Sequence, residues 1–497
     1  MTSPSPDPGA GEQKKNKVIP IVVANAPRRK PKAIAHAGGE PDAFYAPHQK
    51  IYPRMVSGVF AHWRSVMVLL TLGVFYLLPW INWGAGRQAF LIDLPGRKFN
   101  LFWWTFWPQD LFYLTAILII SALSLFLFTA VAGRLWCGYT CPQTVWTEAF
   151  VWMERLIEGD RMKQMRLADA PWNVGKIGKR AAKYGLWFVF ALWTGFTFVG
   201  FFTPIRELFG NVVQWSVGPW EGFWILFYAL ATFGNAGFLR EQVCIYMCPY
   251  GRFQSVMFDQ DTLIVAYDAA RGEPRGARSK KADYKAQGLG DCIECTQCVQ
   301  VCPTGIDIRD GLQYECIACA ACIDVCDDVM DKMGYPRGLI RYTTQNALEG
   351  KASGVTRPRI LIYGAILVGI CVALVISVLL RVPLALDVLR DRSALYRETA
   401  DGDIENVYTL KVMNMDRVAH AYSLEVSGVP GLRPHYDPAE LTIRPGEVRE
   451  AVVRLVAPAG TLAGRASKVE FSLVATDKPS IVIREKSRFL GPRMEGL

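Results

Sequence analysis

The sequence predicts a multi-domain membrane protein: five transmembrane α-helices, an inserted cysteine-rich module and a C-terminal all-β sandwich. Three observations predict it. Five runs carry no charged residue, Ser65–Gly86, Leu111–Gly133, Tyr184–Ile205, Gly222–Leu239 and Ile360–Leu380, and each is long enough as a helix to cross roughly 30 Å of hydrocarbon. Cysteines crowd into two runs of one spacing between the fourth and fifth spans. After the fifth span, short alternating stretches are punctuated by turn residues.

Composition agrees. Of 497 residues, 51% are hydrophobic and 20% charged, which excludes a disordered chain, a collagen-like chain and an ordinary soluble enzyme. The domains expected are a disordered basic tail over 1–60, a four-helix membrane region over 61–255, the cysteine module over 256–357, the fifth span over 358–382 and the β domain over 383–497. The net charge of +10 lies wholly upstream of Pro383. Beside membrane spans it reads as topology rather than as a nucleic-acid surface. Basic residues fill the first 64 positions and the loop from Arg134 to Lys183, whereas the alternate loops are poor in them. The N-terminus and the cysteine module are therefore expected in the cytoplasm and the β domain in the periplasm, with the protein in a bacterial inner membrane. Trp80, Trp83, Trp103, Trp104, Trp107, Trp215 and Trp220 are expected as an outer aromatic belt. The His residues are His36, His48, His62, His420 and His435, none within an uncharged run, so a bis-His haem is excluded.

The C-terminal segment alternates at Val407–Met413, Tyr422–Val426, Val448–Val456, Lys468–Val474 and Ile481–Glu485. Strands of this length and spacing predict an immunoglobulin-like sandwich. It holds no Cys, so no disulfide staples it.

The sharpest pattern is Cys292-x2-Cys295-x2-Cys298-x3-Cys302-Pro303, followed by Cys316-x2-Cys319-x2-Cys322-x3-Cys326. Three thiolates two residues apart wrap one iron–sulfur cube, and the fourth reaches the neighbouring one. This predicts a bacterial-type 2[4Fe–4S] ferredoxin domain with crossed ligand sets. Cys292, Cys295, Cys298 and Cys326 would hold one cluster; Cys302, Cys316, Cys319 and Cys322 would hold the other. Zinc sites show two C-x2-C pairs without this third-plus-fourth pattern. Asp327 stands after Cys326 where the first run has Pro303.

Two further pairs repeat. Arg134-Leu-Trp-Cys137-x3-Cys141-Pro142 follows the second span, and Arg240-x3-Cys244-x3-Cys248-Pro249 follows the fourth. In a continued helix, i and i+4 would share a face. Four converging thiols could bind a soft ion such as Cu(I), cycle between dithiol and disulfide, or ligate a further cluster. Cys371, alone in the fifth span, is expected as a small buried residue. Glu148, Glu154, Asp160 and Arg161 are expected on a solvated face, and Met413, Met415, His420 and His435 in packing rather than a copper site. There is no Gly-rich phosphate loop and no flavin or nicotinamide fingerprint, so an electron donor must dock from outside.

Taken together, Trp136-Cys-Gly-Tyr-Thr-Cys-Pro-Gln143, Cys248-Pro-Tyr-Gly-Arg-Phe-Gln254, both cysteine runs and Met333-Gly-Tyr-Pro-Arg-Gly-Leu-Ile-Arg341 resemble the CcoG/FixG/RdxA family of cytochrome c oxidase accessory proteins. The resemblance covers roughly residues 50 to 497. It implies an enzyme that reduces Cu(II) to Cu(I) for the copper–haem centre of cbb3-type cytochrome c oxidase. Cys137, Cys141, Cys244 and Cys248 would be the copper-handling residues. It implies as partners a cytoplasmic electron donor, a copper transporter or chaperone and the oxidase subunits, with no nucleic acid; a homodimer is allowed. Two rivals stand beside it: a quinol-linked wire feeding a periplasmic reductase, and a non-enzymatic redox-sensing assembly scaffold.

Overall fold

In the computed structural model, residues 50–492 are described, apart from 84, 85, 417 and 463. Five helices are long and apolar enough to cross a membrane: Val59–Trp80, Leu111–Ala132, Val174–Val199, Pro219–Leu239 and Pro358–Leu379. All but the second begin before the uncharged runs do, the first and third by the most. A helix continues through charged residues when these find partners at its end. Arg64 meets Glu148 at 2.7 Å and Lys183 meets Glu158 at 2.8 Å. His62 consequently falls within the first span helix, against the sequence expectation. A lone His still provides no bis-His pair.

In chain order the membrane region contains α1 (Val59–Leu77), α2 (Leu111–Ala132), α3 (Leu135–Tyr139), α4 (Pro142–Glu158), α5 (Arg161–Asp169), α6 (Val174–Val199), α7 (Ile205–Val213), α8 (Pro219–Thr232) and α9 (Pro249–Met257). After α8 the chain widens into π-type turns over Phe233–Leu239 and again over Val243–Met247. Such turns are rare and concentrate at functional sites. Between α1 and α2 lies a small antiparallel sheet, Phe90–Asp93, Lys98–Leu101 and Trp104–Phe106, which hydropathy alone does not announce. Trp103, Trp104, Trp215 and Trp220 are exposed as a belt requires, but Trp107 is buried, with the Lys98 ammonium 4.9 Å from its ring centre.

The expected tail over 1–60 also needs correction. Residues 1–49 lie outside the described residues. From Lys50 onward the chain is a strap held on several elements: Lys50 on Glu154, the Tyr52 carbonyl on Arg161, the Arg54 N–H on the Gln300 carbonyl and the Met55 N–H on Asp160. Its backbone polar groups find partners, which is what order requires.

The ferredoxin module is closed by an antiparallel pair, Ile264–Tyr267 with Ile340–Thr343. These two strands bring the ends of the module together over a core of Val265, Ile308, Ile323, Met330 and Ile340.

The C-terminal unit is a two-sheet sandwich. One sheet orders Arg433–His435, Val448–Ala457, Ile404–Asn414 and Leu384–Arg390; the other orders Thr442–Ile443, His420–Ser427, Ala466–Ala475 and Val482–Leu490. All five expected strands are present, and Leu384–Arg390, Arg433–His435 and Thr442–Ile443 are additional. From Ile404 to Val412 buried and half-buried residues alternate, the period-two signature of a strand with one face on the core. Tyr408 and Phe471 meet edge-on at 5.1 Å between the sheets.

Candidate metal centre

The two cysteine runs fold as near copies. Cys292, Cys295, Cys298 and Cys326 line one cavity with Arg309. Cys302, Cys316, Cys319 and Cys322 line a second, with Cys298 at its edge. Both cradles use the same backbone device. Glu294 and Thr296 in the first run, and Ala318 and Ala320 in the second, have φ between 53° and 61°. Non-glycine residues enter that left-handed region at a cost of roughly 1–2 kcal/mol each. Its recurrence at matching positions curls each loop around its cavity, a conformation that turns successive N–H groups inward.

The donor set suits four-iron cubes. Each cavity is lined by the four thiols of its set, the number a four-iron cube takes with one thiolate on each iron. Burial pushes the Cys298, Cys316 and Cys326 thiols up to about 12. They become ligands only when a cation compensates their charge. Three side chains brace the loops and escaped the spacing argument. Arg309 lines the first cavity while bonding Asp307 at 2.6 Å, Arg278 donates to the Cys292 carbonyl, and Tyr342 donates to the Ala318 carbonyl at 2.6 Å. Asp327 accepts from the Gly338 N–H at 2.9 Å, so it anchors a loop.

The thiol pairs depart from the helical expectation. Cys137 lies on α3, but that helix stops at Tyr139, and Cys141 is the residue before α4, which Pro142 opens. Likewise Cys248 precedes α9, opened by Pro249. Proline is preorganised for the first helical position and needs no N–H partner there, so each C-x3-C-P straddles a helix break.

The four thiols nevertheless lie near enough to act on one another electrostatically, although among the described residues no three side chains stand close enough to grip one metal ion. Burial, and then the neighbouring Cys141 thiol, push Cys137 up to about 11; burial, then Cys141 and Cys137, push Cys244 up to about 12. Arg134 opposes this at both. Arg134 is 6% exposed, and its guanidinium donates to the Gly251 and Tyr314 carbonyls, tying the first hairpin to the second and to the ferredoxin. The Cys137 Sγ also meets Gln254 Oε1, on α9, at 3.5 Å.

The first pair abuts the second cluster cradle. Cys137 packs with Val301, Ile317, Cys319 and Cys322 in one apolar group. Between the two pair cysteines, Gly138 has no room for a side chain: a Cβ would sit 2.8 Å from the Ile317 carbonyl oxygen and 2.9 Å from the Cys319 Cα. Glycine is what permits this approach.

The acidic residues expected on a solvated face are instead structural. Glu154 is 1% exposed and takes Arg240 at 2.6 Å, Lys50 at 2.8 Å and Lys183 at 3.3 Å. Burial alone would raise its carboxyl, but Arg240 and then Lys50 outweigh it and hold the group down to about 2. Glu148 bonds Arg64, Asp160 accepts from Met55, and Arg161 donates to Tyr52. Cys371 is half-buried rather than buried. In the β domain His420 is buried between Asp477 at 2.8 Å and Asp416 at 3.2 Å, and His435 lies on an exposed edge. This matches packing.

Span helices, a dicluster ferredoxin cradle and an immunoglobulin-like unit define a polytopic iron–sulfur electron-transfer protein. A family model described as a 4Fe-4S dicluster domain matches residues 239–345, one described as a 4Fe-4S binding domain matches 114–158, and one described as the IG-like fold at the C-terminal of FixG matches 374–492. Protein RdxA of Cereibacter sphaeroides is 41% identical over 406 residues, which is 79% of this chain and 85% of that one. Protein RdxB of the same organism is 39% identical, covering 88% and 94%. Nitrogen fixation protein FixG of Rhizobium meliloti is 38% identical, covering 88% and 91%. A crystal structure of a FixG-related protein from Vibrio parahaemolyticus is 32% identical over 22% of this chain and 95% of that one, with a TM-score of 0.20. The chain belongs to the FixG/RdxA family of iron–sulfur oxidoreductases.

Proposed function

We propose that this protein reduces Cu(II) to Cu(I) at the cytoplasmic face of a bacterial inner membrane, for assembly of the copper–haem centre of a cbb3-type cytochrome c oxidase. The observation that carries the reading is the seat of Cys137 and Gly138 directly against the Cys319 loop. The eight ferredoxin cysteines would hold two clusters, which would supply single electrons; a Cu(II) substrate that accepts one becomes Cu(I) with no atom transferred. Cys292, Cys295, Cys298 and Cys326 are the ligands of one cluster; Cys302, Cys316, Cys319 and Cys322 are those of the other. Cys137, Cys141, Cys244 and Cys248 receive the copper, since thiolates favour the soft Cu(I) state. The raised proton affinity of Cys137, Cys141 and Cys244 makes capture a proton-releasing exchange, and Arg134 offsets part of the thiolate charge. The basic loops support a cytoplasmic location for the site. The product then passes to a copper transporter or chaperone, and the electrons come from a cytoplasmic donor that docks from outside.

The experiment uses full-length protein purified without oxygen, with iron and sulfide counted. It is reduced, freed of reductant and mixed with Cu(II), while cluster reoxidation and Cu(I) capture by a chelator are followed together. One Cu(I) per electron lost, abolished when all four pair cysteines are replaced by Ala, is the expected result. Reduced clusters that persist beside Cu(II) would defeat the proposal. A second reading, a further iron–sulfur cluster at the pairs, is favoured by the 4Fe-4S binding model over residues 114–158. It predicts iron in excess of two cubes per chain, lost with the same four cysteines.

A further inference from the structure

A cavity of about 530 Å³ lies at the base of α6, apart from the thiols and the cluster cradles. Its wall carries five cations, Lys50, Lys176, Arg180, Lys183 and Arg240, and one carboxylate, Glu241, among the described lining residues. Lys176, Arg180 and Lys183 recur at i, i+4 and i+7, so they share one face of the helix. Two buried carboxylates stand behind the wall. Glu154 serves Lys50, Lys183 and Arg240, and Glu158 serves Lys183 at 2.8 Å and Arg180 at 3.3 Å. Five cations against three carboxylates leave a positive surplus around a space able to hold a small molecule.

Neutral partners stand in where anions run short. The Lys176 ammonium rests on the Ala168 carbonyl at 2.9 Å and on that of Ala170, with the Trp172 ring centre 4.9 Å away. Lys183 and Arg240 lie 5.1 and 5.6 Å from the Trp187 ring centre. Lys183 is fully buried and Lys176 is 6% exposed. Lys183 has Glu158 and Glu154, but the hydrogen bonds of the Lys176 ammonium go to carbonyl oxygens; burying a charge without a counter-charge is costly, and a polyvalent anion would remove that cost.

The position narrows the class of anion. α6 has 26 residues, about 39 Å of helix, some 9 Å more than the hydrocarbon thickness. Its first turns therefore project to the membrane surface, where Trp172 is also exposed. Basic pockets between membrane helices at that depth suit phosphate headgroups. A metal cation would be repelled, and a neutral quinone would leave the surplus uncompensated.

We infer that this cavity binds a phosphate ester, presented as the headgroup of an anionic phospholipid or as a soluble organic phosphate. The test takes the full-length, cluster-loaded protein in nanodiscs and measures retained lipid by native mass spectrometry, with phosphatidylglycerol, phosphatidylcholine and glycerol 3-phosphate as probes. Phosphatidylglycerol should be retained in preference to phosphatidylcholine. The double substitution Lys176→Gln, Arg180→Gln should cut that retention at least tenfold, with cluster absorbance unchanged. Displacement by glycerol 3-phosphate would identify a soluble phosphate as sufficient; failure to displace, with preference intact, would identify the lipid. Equal retention of phosphatidylcholine, or undiminished retention by the variant, would overturn the inference. Should the variant lose its clusters, photo-crosslinking of a phosphatidylglycerol analogue to the unmodified protein decides. Adducts between Trp172 and Lys183 are required, and adducts elsewhere alone would refute it.

Discussion

The two thiol hairpins share spacing, proline and preceding arginine, yet they are connected differently. In the first, Arg134 reaches across to Gly251 and Tyr314, and Gly138 sits on the Cys319 loop. In the second, Arg240 turns back to Glu154, and Gly251 packs against the carbonyl of Cys244. Cys244 lines a cavity of about 470 Å³ that Arg64, Glu148 and Trp152 share with the ferredoxin residues Val301, Pro303 and Ile317, whereas Cys137 packs against the cluster cysteines Cys319 and Cys322 themselves. A repeated motif thus fixes the local chemistry, while its neighbours decide what that chemistry is joined to. On the copper reading the first pair is the electron-receiving side and the second is the side open to the ion.

That asymmetry can be broken in steps. Replacing Cys137 and Cys141 by Ala should slow Cu(II) reduction about a hundredfold or more, the scale of a lost reacting geometry. Replacing Cys244 and Cys248 should instead weaken copper capture first. Stopped-flow cluster reoxidation beside equilibrium copper titration separates the two, and identical profiles would erase the distinction. Glu154→Gln leaves Arg240, Lys183 and Lys50 without their shared carboxylate and should cost about 3–5 kcal/mol in denaturant unfolding. Because the folded carboxyl is held low, at about 2, its stabilisation is complete above the ordinary carboxylate range and fades as pH falls through that value. The Gln variant should lack this acid-side loss. Gly138→Ala forces a Cβ onto backbone and should destabilise by about 1–3 kcal/mol, with iron lost from the second cradle first. Gly251→Ala should spare that iron, as judged by spectra of the two variants. Gln254→Leu removes the weak contact to the Cys137 sulfur and should cost about 1 kcal/mol at most, measured by thermal unfolding.

Much of the architecture was legible because it rests on composition and period. Uncharged runs located the spans, and period-two alternation located five sandwich strands. The break inside each C-x3-C-P was not, since i, i+4 spacing describes a continuous helix while Pro142 and Pro249 start new ones. The ferredoxin runs showed their cysteines but not Arg309, Arg278 or Tyr342, whose contacts arise only when distant segments meet. Glu154 read as surface for the same reason. Its partners Lys50, Lys183 and Arg240 come from three separate segments, and no window of sequence contains them together. Residues 50–57 looked like a continuing basic tail because their partners lie about a hundred positions or more downstream.

Asp324 illustrates what such distance means for biogenesis. It stands between Cys322 and Cys326, and its carboxylate accepts the N–H groups of Phe60 and Ala61 at 3.2 and 2.7 Å, capping the helix that enters the membrane first. Gly58 leaves it the space, since a Cβ there would overlap that carboxylate. On the ribosome the first span emerges some 260 residues before its cap. It must insert with its leading N–H groups met by water, and it gains its anionic cap only after the cysteine module has folded. Asp324 lies on the helix Ala321–Met333, which also carries Cys322 and Cys326, so the cap of the first span and two of the ferredoxin cysteines are set by one element.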